Sequence, residues 1–211
     1  MTHIDYTLYL VTDRSVMSAK SLEQAVEQAI QGGCTVVQLR EKYASSREFF
    51  ETAQRVKQIT DSYHIPLIIN DRTDICLAVN AAGIHIGQQD LPAKIVRSMV
   101  GPDKIIGVSA ATLSEAIQAE QDGADYLGVG AMFATSTKTN TRPVTIERLT
   151  QIKQAVQIPV VAIGGIQSSN VTTLTDTGID GIAVVSAILA QENITHAAEQ
   201  LKACFTGAGH E

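Results

Sequence analysis

Residues 128–139, GVGAMFATSTKT, gather hydrogen-bonding chemistry into one short stretch. A strand-like run, Tyr126-Leu127-Gly128-Val129, opens into small and hydroxyl residues. Thr135, Ser136, Thr137 and Lys138 then arrive together. Four donors, one of them cationic, in a stretch too polar for a core suit an anion, and a phosphate ester is the commonest small anion an enzyme meets. A polar surface loop would read the same way in isolation. The phosphate reading gains weight because an apolar run followed by polar residues recurs along the whole chain.

The residues after the other apolar runs fall into groups. Arg40, Glu41 and Lys42 follow the second run, Asn70, Asp71 and Arg72 the third, and Gly87 to Asp90 the fourth. Ser109 follows the fifth, Gly164 and Gly165 the seventh, and Ser186 the eighth. Asp71 and Asp90 come from neighbouring runs. Two carboxylates brought to one rim repel unless a cation sits between them, and Mg²⁺ takes one or two protein carboxylates with water and phosphate oxygens. Taken singly, either aspartate reads as an ordinary loop residue. Arg40, Lys42 and Lys138 would hold phosphate oxygens beside such a metal. Gly164-Gly165 and Val185-Ser186 form a third group, in which bare backbone N–H groups approach a second phosphate closely. A tight turn would equally explain the glycine pair. Two anion sites at one rim suggest two phosphorylated substrates joined by an enzyme.

These residues need a scaffold that brings distant loops together. Short apolar strands alternate with amphipathic helices from end to end. The strands are Leu8–Val11, Val36–Leu39, Leu67–Ile69, Gly83–Ile86, Ile105–Val108, Tyr126–Val129, Val160–Ile163 and Ile182–Val185. Between the first two, Leu22, Ala25, Val26, Ala29 and Ile30 recur at helical spacing until Gly32-Gly33 stops them. Ser45 or Ser46 caps the next helix, which turns Phe49, Ala53 and Val56 inward. Pro92 falls in the first turn of another helix, Thr112 and Glu115 form a capping-box pattern, and Ile194 to Phe205 mark the closing helix. Strands apolar on both faces indicate a parallel sheet covered by helices. Eight strand–helix units in one domain, residues 1–211, close a (β/α)8 TIM barrel, whose functional residues lie at the C-terminal ends of the strands. A doubly wound open sheet is the alternative, with a ligand at one switch point. Within this frame His85, inside a strand, and Cys34 and Cys76 read as packing residues, and 207–211 as a frayed end.

Composition narrows the partners. The formal net charge of −6 argues against nucleic acid. It leaves room for anionic small molecules, because a local cationic cluster outweighs the global sum. No apolar run reaches the ~18 residues of a membrane helix. The first residues lack the basic and apolar blocks of a signal peptide, and Cys34, Cys76 and Cys204 fit neither a disulfide framework nor a metal-ligand spacing. A cytoplasmic protein acting on small molecules is expected, and a homo-oligomer is compatible with the sequence.

VVQLREK (36–42), INDR (69–72), HIGQQDLP (85–92), GVS (107–109), GVGAMFATSTK (128–138), VVAIGGI (160–166) and IAVVSAI (182–188) together resemble thiamine-phosphate synthases, in the same order over nearly the whole chain. The resemblance implies a (β/α)8 barrel that couples a hydroxymethylpyrimidine diphosphate to a thiazole phosphate, releasing pyrophosphate, with Mg²⁺. It implies that Gln38, Leu39, Arg40, Glu41, Lys42, Asn70, Ser109 and Lys138 hold the pyrimidine diphosphate, with Arg40, Lys42, Ser109 and Lys138 assisting catalysis. Asp71 and Asp90 would ligate Mg²⁺. Thr135, Ser136, Thr137, Gly165, Val185 and Ser186 would hold the thiazole phosphate. The chain departs from the family pattern at Ala131 and Ala134, where members often carry proline, and at Asn140, where they often carry aspartate. A thiazole tautomerase on the same scaffold is the nearest alternative. It would dispense with the diphosphate and metal residues and needs an acid–base group at the rim, whereas Ala110 and Ala111 follow Ser109 here. A non-catalytic phosphosugar-binding regulator is a more distant one.

Overall fold

The structure, a computed structural model, describes residues 4–19, 21–135 and 142–207. Eight parallel strands close a barrel in sequence order: β1 (Leu8–Val11), β2 (Val36–Leu39), β3 (Leu67–Asn70), β4 (Gly83–Ile86), β5 (Ile105–Ala110), β6 (Tyr126–Val129), β7 (Val160–Ile163) and β8 (Gly181–Val184). β8 returns to pair with β1, Tyr9 lying opposite Ala183. Around it run α1 (Leu22–Gln31), α2 (Ser46–Ser62), α3 (Thr73–Ala78), α4 (Ala93–Val100), α5 (Leu113–Gln121), α6 (Ile146–Ala155), the single turn α7 (Ser186–Leu189) and α8 (Ile194–Thr206).

The helix ends follow local chemistry. Ser45, rather than Ser46, caps α2, and its hydroxyl and N–H exchange hydrogen bonds with Glu48 in a capping box. Thr112 and Glu115 make the same exchange at α5. Pro92 stands one residue outside α4, at its cap, where its fixed φ and missing N–H cost nothing. Between β7 and β8 the connection is a 3-10 segment, Val171–Thr177, in place of an α-helix. Its threonine hydroxyls bond back to carbonyls three residues earlier: Thr173 to Asn170, Thr175 to Thr172 and Thr177 to Leu174. Such back-bonding favours the tighter winding.

Strand parity divides the core in two. Leu8, Leu10, Val37, Leu39, Ile84, Ile86, Leu127 and Val129 pack outward against the helices. Tyr9, Val11, Val36, Ile68, Tyr126, Val161 and Ala183 form a separate cluster inside the barrel. Two residues further along this inward parity stand Gln38, Asn70 and Gly128. Inward parity also places His85 and Ser109, so the strands hand polar side chains to the C-terminal end. Glycine stands at two interior positions beside the polar side chains. A Cβ at Gly107 would overlap the Tyr126 ring, and one at Gly128 would lie 3.0 Å from His85 Cε1. The missing side chains leave the space that the phenol and the imidazole occupy.

Candidate active site

The exits of β1 and β2 hold each other. Thr12 N donates to Gln38 O at 2.9 Å, and Arg40 N donates to the Thr12 hydroxyl at 2.9 Å. The Arg40 guanidinium then pairs with Asp13 at 2.8 Å, both side chains about 15% exposed (16% and 14%). Burial pushes the Asp13 carboxyl up, but hydrogen bonds from Ser15 and the charge of Arg40 outweigh it and hold it below its ordinary value. Glu41 pairs with Arg14 at 2.6 Å. Sequence reasoning missed Asp13 and Arg14, although they follow the first apolar run as Arg40 follows the second. A groove of about 780 Å³ opens beside them, shared by Asp13, Arg14, Arg40, Lys42 and Thr52.

Asp71 and Asp90 are brought face to face. Asp71 leaves β3 at φ 61°, a left-handed conformation that aspartate tolerates better than most residues. Its N–H donates to His85 O at 2.9 Å, which ties the turn to β4. Asp90 folds back onto the β4 exit, accepting the Gly87 N–H at 2.7 Å. Burial raises the Asp71 carboxyl above its ordinary range, and the charge and hydrogen bond of Asp90 raise it further, while Lys42 and Asn70 oppose the shift. Two oxygen donors that repel each other beside a lysine are a donor set for a hard divalent cation that keeps water and phosphate ligands. Among the described residues no cluster of three or more His, Cys, Asp or Glu side chains could hold a metal. A cation placed between these two carboxylates would draw the rest of its shell from water and phosphate oxygens.

Inside the barrel a continuous polar chain leads to the same rim. Gln38 Nε2 donates to the Tyr9 hydroxyl at 2.9 Å, and the Tyr9 and Tyr126 hydroxyls are 2.7 Å apart. His85 Nδ1 lies 2.9 Å from the Tyr126 hydroxyl and His85 Nε2 2.9 Å from the Ser109 hydroxyl. This corrects the reading of His85 as a packing residue: it is half-buried and spans from a phenol to a rim hydroxyl. Ser109 is itself within β5 rather than after it, and Gln88 crosses the rim to the Ser109 carbonyl at 2.7 Å. Cys34 and Cys76 are buried free thiols, as packing residues would be.

The opposite side of the rim is built from backbone. Gly164 and Gly165 have φ of 100° and 66°, and a Cβ on Gly165 would meet Ala134 O at 2.5 Å and Phe133 O at 2.8 Å. The glycine therefore admits the β6 loop before it admits any ligand. Asn170 holds Gly165 O at 3.0 Å. Val185 caps the short helix α7, which opens with Ser186. Arg142 ends the β6 loop with a two-pronged grip on Glu115, at 2.7 and 2.9 Å, so the carboxylate that caps α5 also fastens this loop. Thr135 is half-buried. Ser136, Thr137, Lys138 and Asn140 lie outside the described residues, as do residues 208–211 of the expected frayed end.

Gln38, Arg40, Lys42, Asn70, Asp71, Asp90 and Ser109 thus leave β2 to β5 at one end of the barrel, and Gly165, Val185 and Ser186 leave β7 and β8 at the same end. Leu39 does not join them by its side chain, which is buried among the helices. Only its backbone is at the disposal of a ligand. Among the described residues no helix is long and apolar enough to cross a membrane.

Comparison with known proteins fits this geometry. A family model described as thiamine monophosphate synthase matches residues 8–188. The chain is 61% identical over 202 residues to a thiamine-phosphate synthase of Ruminiclostridium cellulolyticum, covering 96% of each. It is 58% identical over 203 residues to that of Clostridium tetani, covering 96% of this chain and 97% of the relative. A thiamine phosphate pyrophosphorylase from Pyrococcus furiosus superposes with a TM-score of 0.89 at 38% identity, 98% of both chains being covered. With the same barrel and this degree of identity over its length, the chain belongs to the thiamine monophosphate synthase family.

Proposed function

We propose that the chain couples an aminopyrimidine carrying a methylene diphosphate to a thiazole phosphate, giving thiamine phosphate and pyrophosphate, and that Asp71 and Asp90 hold the Mg²⁺ this requires. The observation that carries the reading is the rim itself. A facing carboxylate pair beside Lys42, with Arg40 at the same strand exit as that lysine, stands across from glycine backbone and the start of α7. One side suits a diphosphate with its metal, the other a monophosphate.

The chemistry asks little of an acid or base. The bond between the methylene carbon and the diphosphate oxygen breaks, both electrons leaving with the oxygen. The cationic methylene is stabilised by the ring and its amine, and the thiazole nitrogen supplies the electron pair for the new C–N bond. Mg²⁺ bound by the two carboxylates would supply Lewis-acid stabilisation of the leaving group. Arg40 and Lys42 donate charge-assisted hydrogen bonds to the developing negative charge, with Lys138 expected to join them. Asp13 holds Arg40 in place. Gln38, Asn70 and Ser109 orient the pyrimidine, and Gly165, Val185 and Ser186, with Thr135 to Thr137, hold the thiazole phosphate so that its nitrogen meets the methylene. Cys34, Cys76 and Cys204 are all free thiols, which suits a reducing, cytoplasmic setting.

The experiment is direct. Purified protein is given both substrates with and without Mg²⁺, and thiamine phosphate and pyrophosphate are followed together. Stoichiometric appearance of both, dependent on metal, is expected. Isomerisation of a thiazole phosphate with no pyrophosphate under any condition would replace the synthase by a tautomerase.

A further inference from the structure

Gln38 and Ser109 stand on β2 and β5, apart in the barrel, yet an unbroken run of hydrogen bonds joins them. The links run Gln38–Tyr9–Tyr126–His85–Ser109, at 2.9, 2.7, 2.9 and 2.9 Å. The two phenols are sealed from water, Tyr9 at 1% exposure and Tyr126 at 0%. Burial raises the pKa of both hydroxyls, so both keep their protons. Each phenol has one hydrogen to give. A neutral imidazole gives from one nitrogen and accepts at the other. With His85 neutral, and over these four bonds, these limits leave the chain two complete arrangements.

In the first, the Gln38 amide nitrogen donates to Tyr9, Tyr9 to Tyr126, Tyr126 to His85 Nδ1, and His85 Nε2–H to Ser109. The serine hydrogen is then left to point at a ligand. In the second, the Gln38 amide is turned over and every bond reverses. Ser109 donates to His85 Nε2, His85 Nδ1–H to Tyr126, Tyr126 to Tyr9, and Tyr9 to the Gln38 oxygen. Ser109 then meets a ligand with its lone pairs, and Gln38 with its N–H groups. Any mixed arrangement sets two phenol hydrogens or two phenol oxygens against each other at 2.7 Å, or leaves a hydrogen unpaired in a dry interior, which is unfavourable.

We propose that Tyr9, Tyr126 and His85 are positioning residues whose hydrogen-bond chain ties the donor or acceptor character of Ser109 to that of the Gln38 amide across the barrel. The proposal rests on the reading of this rim as the pyrimidine site. An aminopyrimidine offers an exocyclic amine, which needs an acceptor, and ring nitrogens, which need donors. The second arrangement meets both needs at once, with Ser109 accepting and Gln38 donating. An analogue with a ring carbonyl in place of the amine requires the reverse at Ser109.

Tyr9→Phe is the decisive variant, because it removes one oxygen from the chain, frees Gln38 from its bond to that oxygen and keeps both the Gln38 and the Ser109 side chains. The Tyr126 hydrogen then has His85 Nδ1 as its partner in the chain, which fixes His85 as the Nε2–H tautomer and Ser109 as a donor. Nitrogen NMR of the His85 ring reads the tautomer. In the parent protein the aminopyrimidine diphosphate should shift it to Nδ1–H, and in Tyr9→Phe it should stay Nε2–H with or without ligand. Calorimetry supplies the second readout. Preference for the amino over the carbonyl analogue should fall by roughly tenfold or more in Tyr9→Phe, while affinity for inorganic pyrophosphate stays the same. Tyr126→Phe, which cuts the chain one link later, should also lose the ligand-driven tautomer change, and stands in should Tyr9→Phe fail to fold. Equal tautomer behaviour and equal preference in parent and folded variants overturn the proposal. If neither pyrimidine binds the parent, the pyrimidine reading fails. The chain is then judged on the tautomer alone: the free Tyr9→Phe protein must be Nε2–H, and any other state overturns it.

Discussion

Asp71 adopts a left-handed backbone to present its carboxylate to Asp90, and asparagine is the residue that best shares that tolerance. Asp71→Asn should therefore keep the fold while removing one of the two oxygen charges proposed to hold the metal. Turnover is expected to drop by roughly a hundredfold or more, with the Mg²⁺ requirement shifted to higher concentration in a titration against pyrophosphate release. Near-normal turnover and unchanged metal dependence would remove Asp71 from that role. Asp13 carries a different argument. It touches Arg40 at 2.8 Å and is hydrogen bonded by Ser15, so Asp13→Asn should leave the guanidinium poorly held. Loss of a charge-assisted bond of about 1.5–3 kcal/mol predicts roughly a tenfold rise in the diphosphate KM. The sign with pH follows from its lowered carboxyl. The folded state binds that proton more weakly than the unfolded chain, so the stabilisation is present above the ordinary carboxylate range and is lost as pH falls through the folded value. Thermal unfolding should thus separate parent from Asp13→Asn at neutral pH and bring them together in acid. A gap that persists in acid would mean that packing, not charge, is what Asp13 supplies.

At the scale of elements, most of the architecture was legible because strands of a parallel barrel are apolar on both faces and stop at polar residues. Seven of the eight strands keep the start and end expected to within one residue, and β5 alone runs two residues further. That extension put Ser109 inside a strand. The 3-10 segment Val171–Thr177 was not legible, because threonine back-bonding competes with helix winding only once the backbone is in place. The roles of His85, Tyr9 and Tyr126 were hidden for another reason. Parity says which side of a strand a residue takes only after register is known, and on the wrong side all three are core. Gly165 shows how an element changes a prediction. Its Cβ would strike Phe133 and Ala134 in the β6 loop, so Gly165→Ala should act on that loop first. We expect a loss of about 1–3 kcal/mol in unfolding free energy, as for other overpacked sites. The thiazole phosphate KM should rise several-fold, and the pyrimidine diphosphate affinity should hold within twofold. Equal weakening of both ligands in calorimetry would mean the two halves of the rim are one site.

The molecule as a whole solves a packing problem that its chemistry creates. A barrel of eight strands has an interior just wide enough for side chains to fill, yet this one carries two tyrosines, a histidine and a glutamine across its middle. Gly107 and Gly128 make the room, and the cost of refilling it should reveal which side chain they make room for. A Cβ on Gly107 would overlap Tyr126 Cζ, Cε1 and the hydroxyl, atoms at the far end of one ring. Gly107→Ala should therefore destabilise the parent strongly, by about 1–3 kcal/mol or more. Tyr126→Leu removes those ring atoms and also empties part of the interior, so alone it should cost on the order of 2–5 kcal/mol. Together the two changes should cost less than the sum, because the added methyl partly refills the space the ring vacated. Residues in contact couple by about 0.5–3 kcal/mol, whereas independent sites add within about 0.5 kcal/mol. Denaturant unfolding of the parent, both single variants and the double variant gives that coupling directly. Additive costs would mean that Gly107 answers to the strand backbone rather than to the ring. The route from Tyr9 to His85 would then owe its place in the barrel to something other than the two glycines.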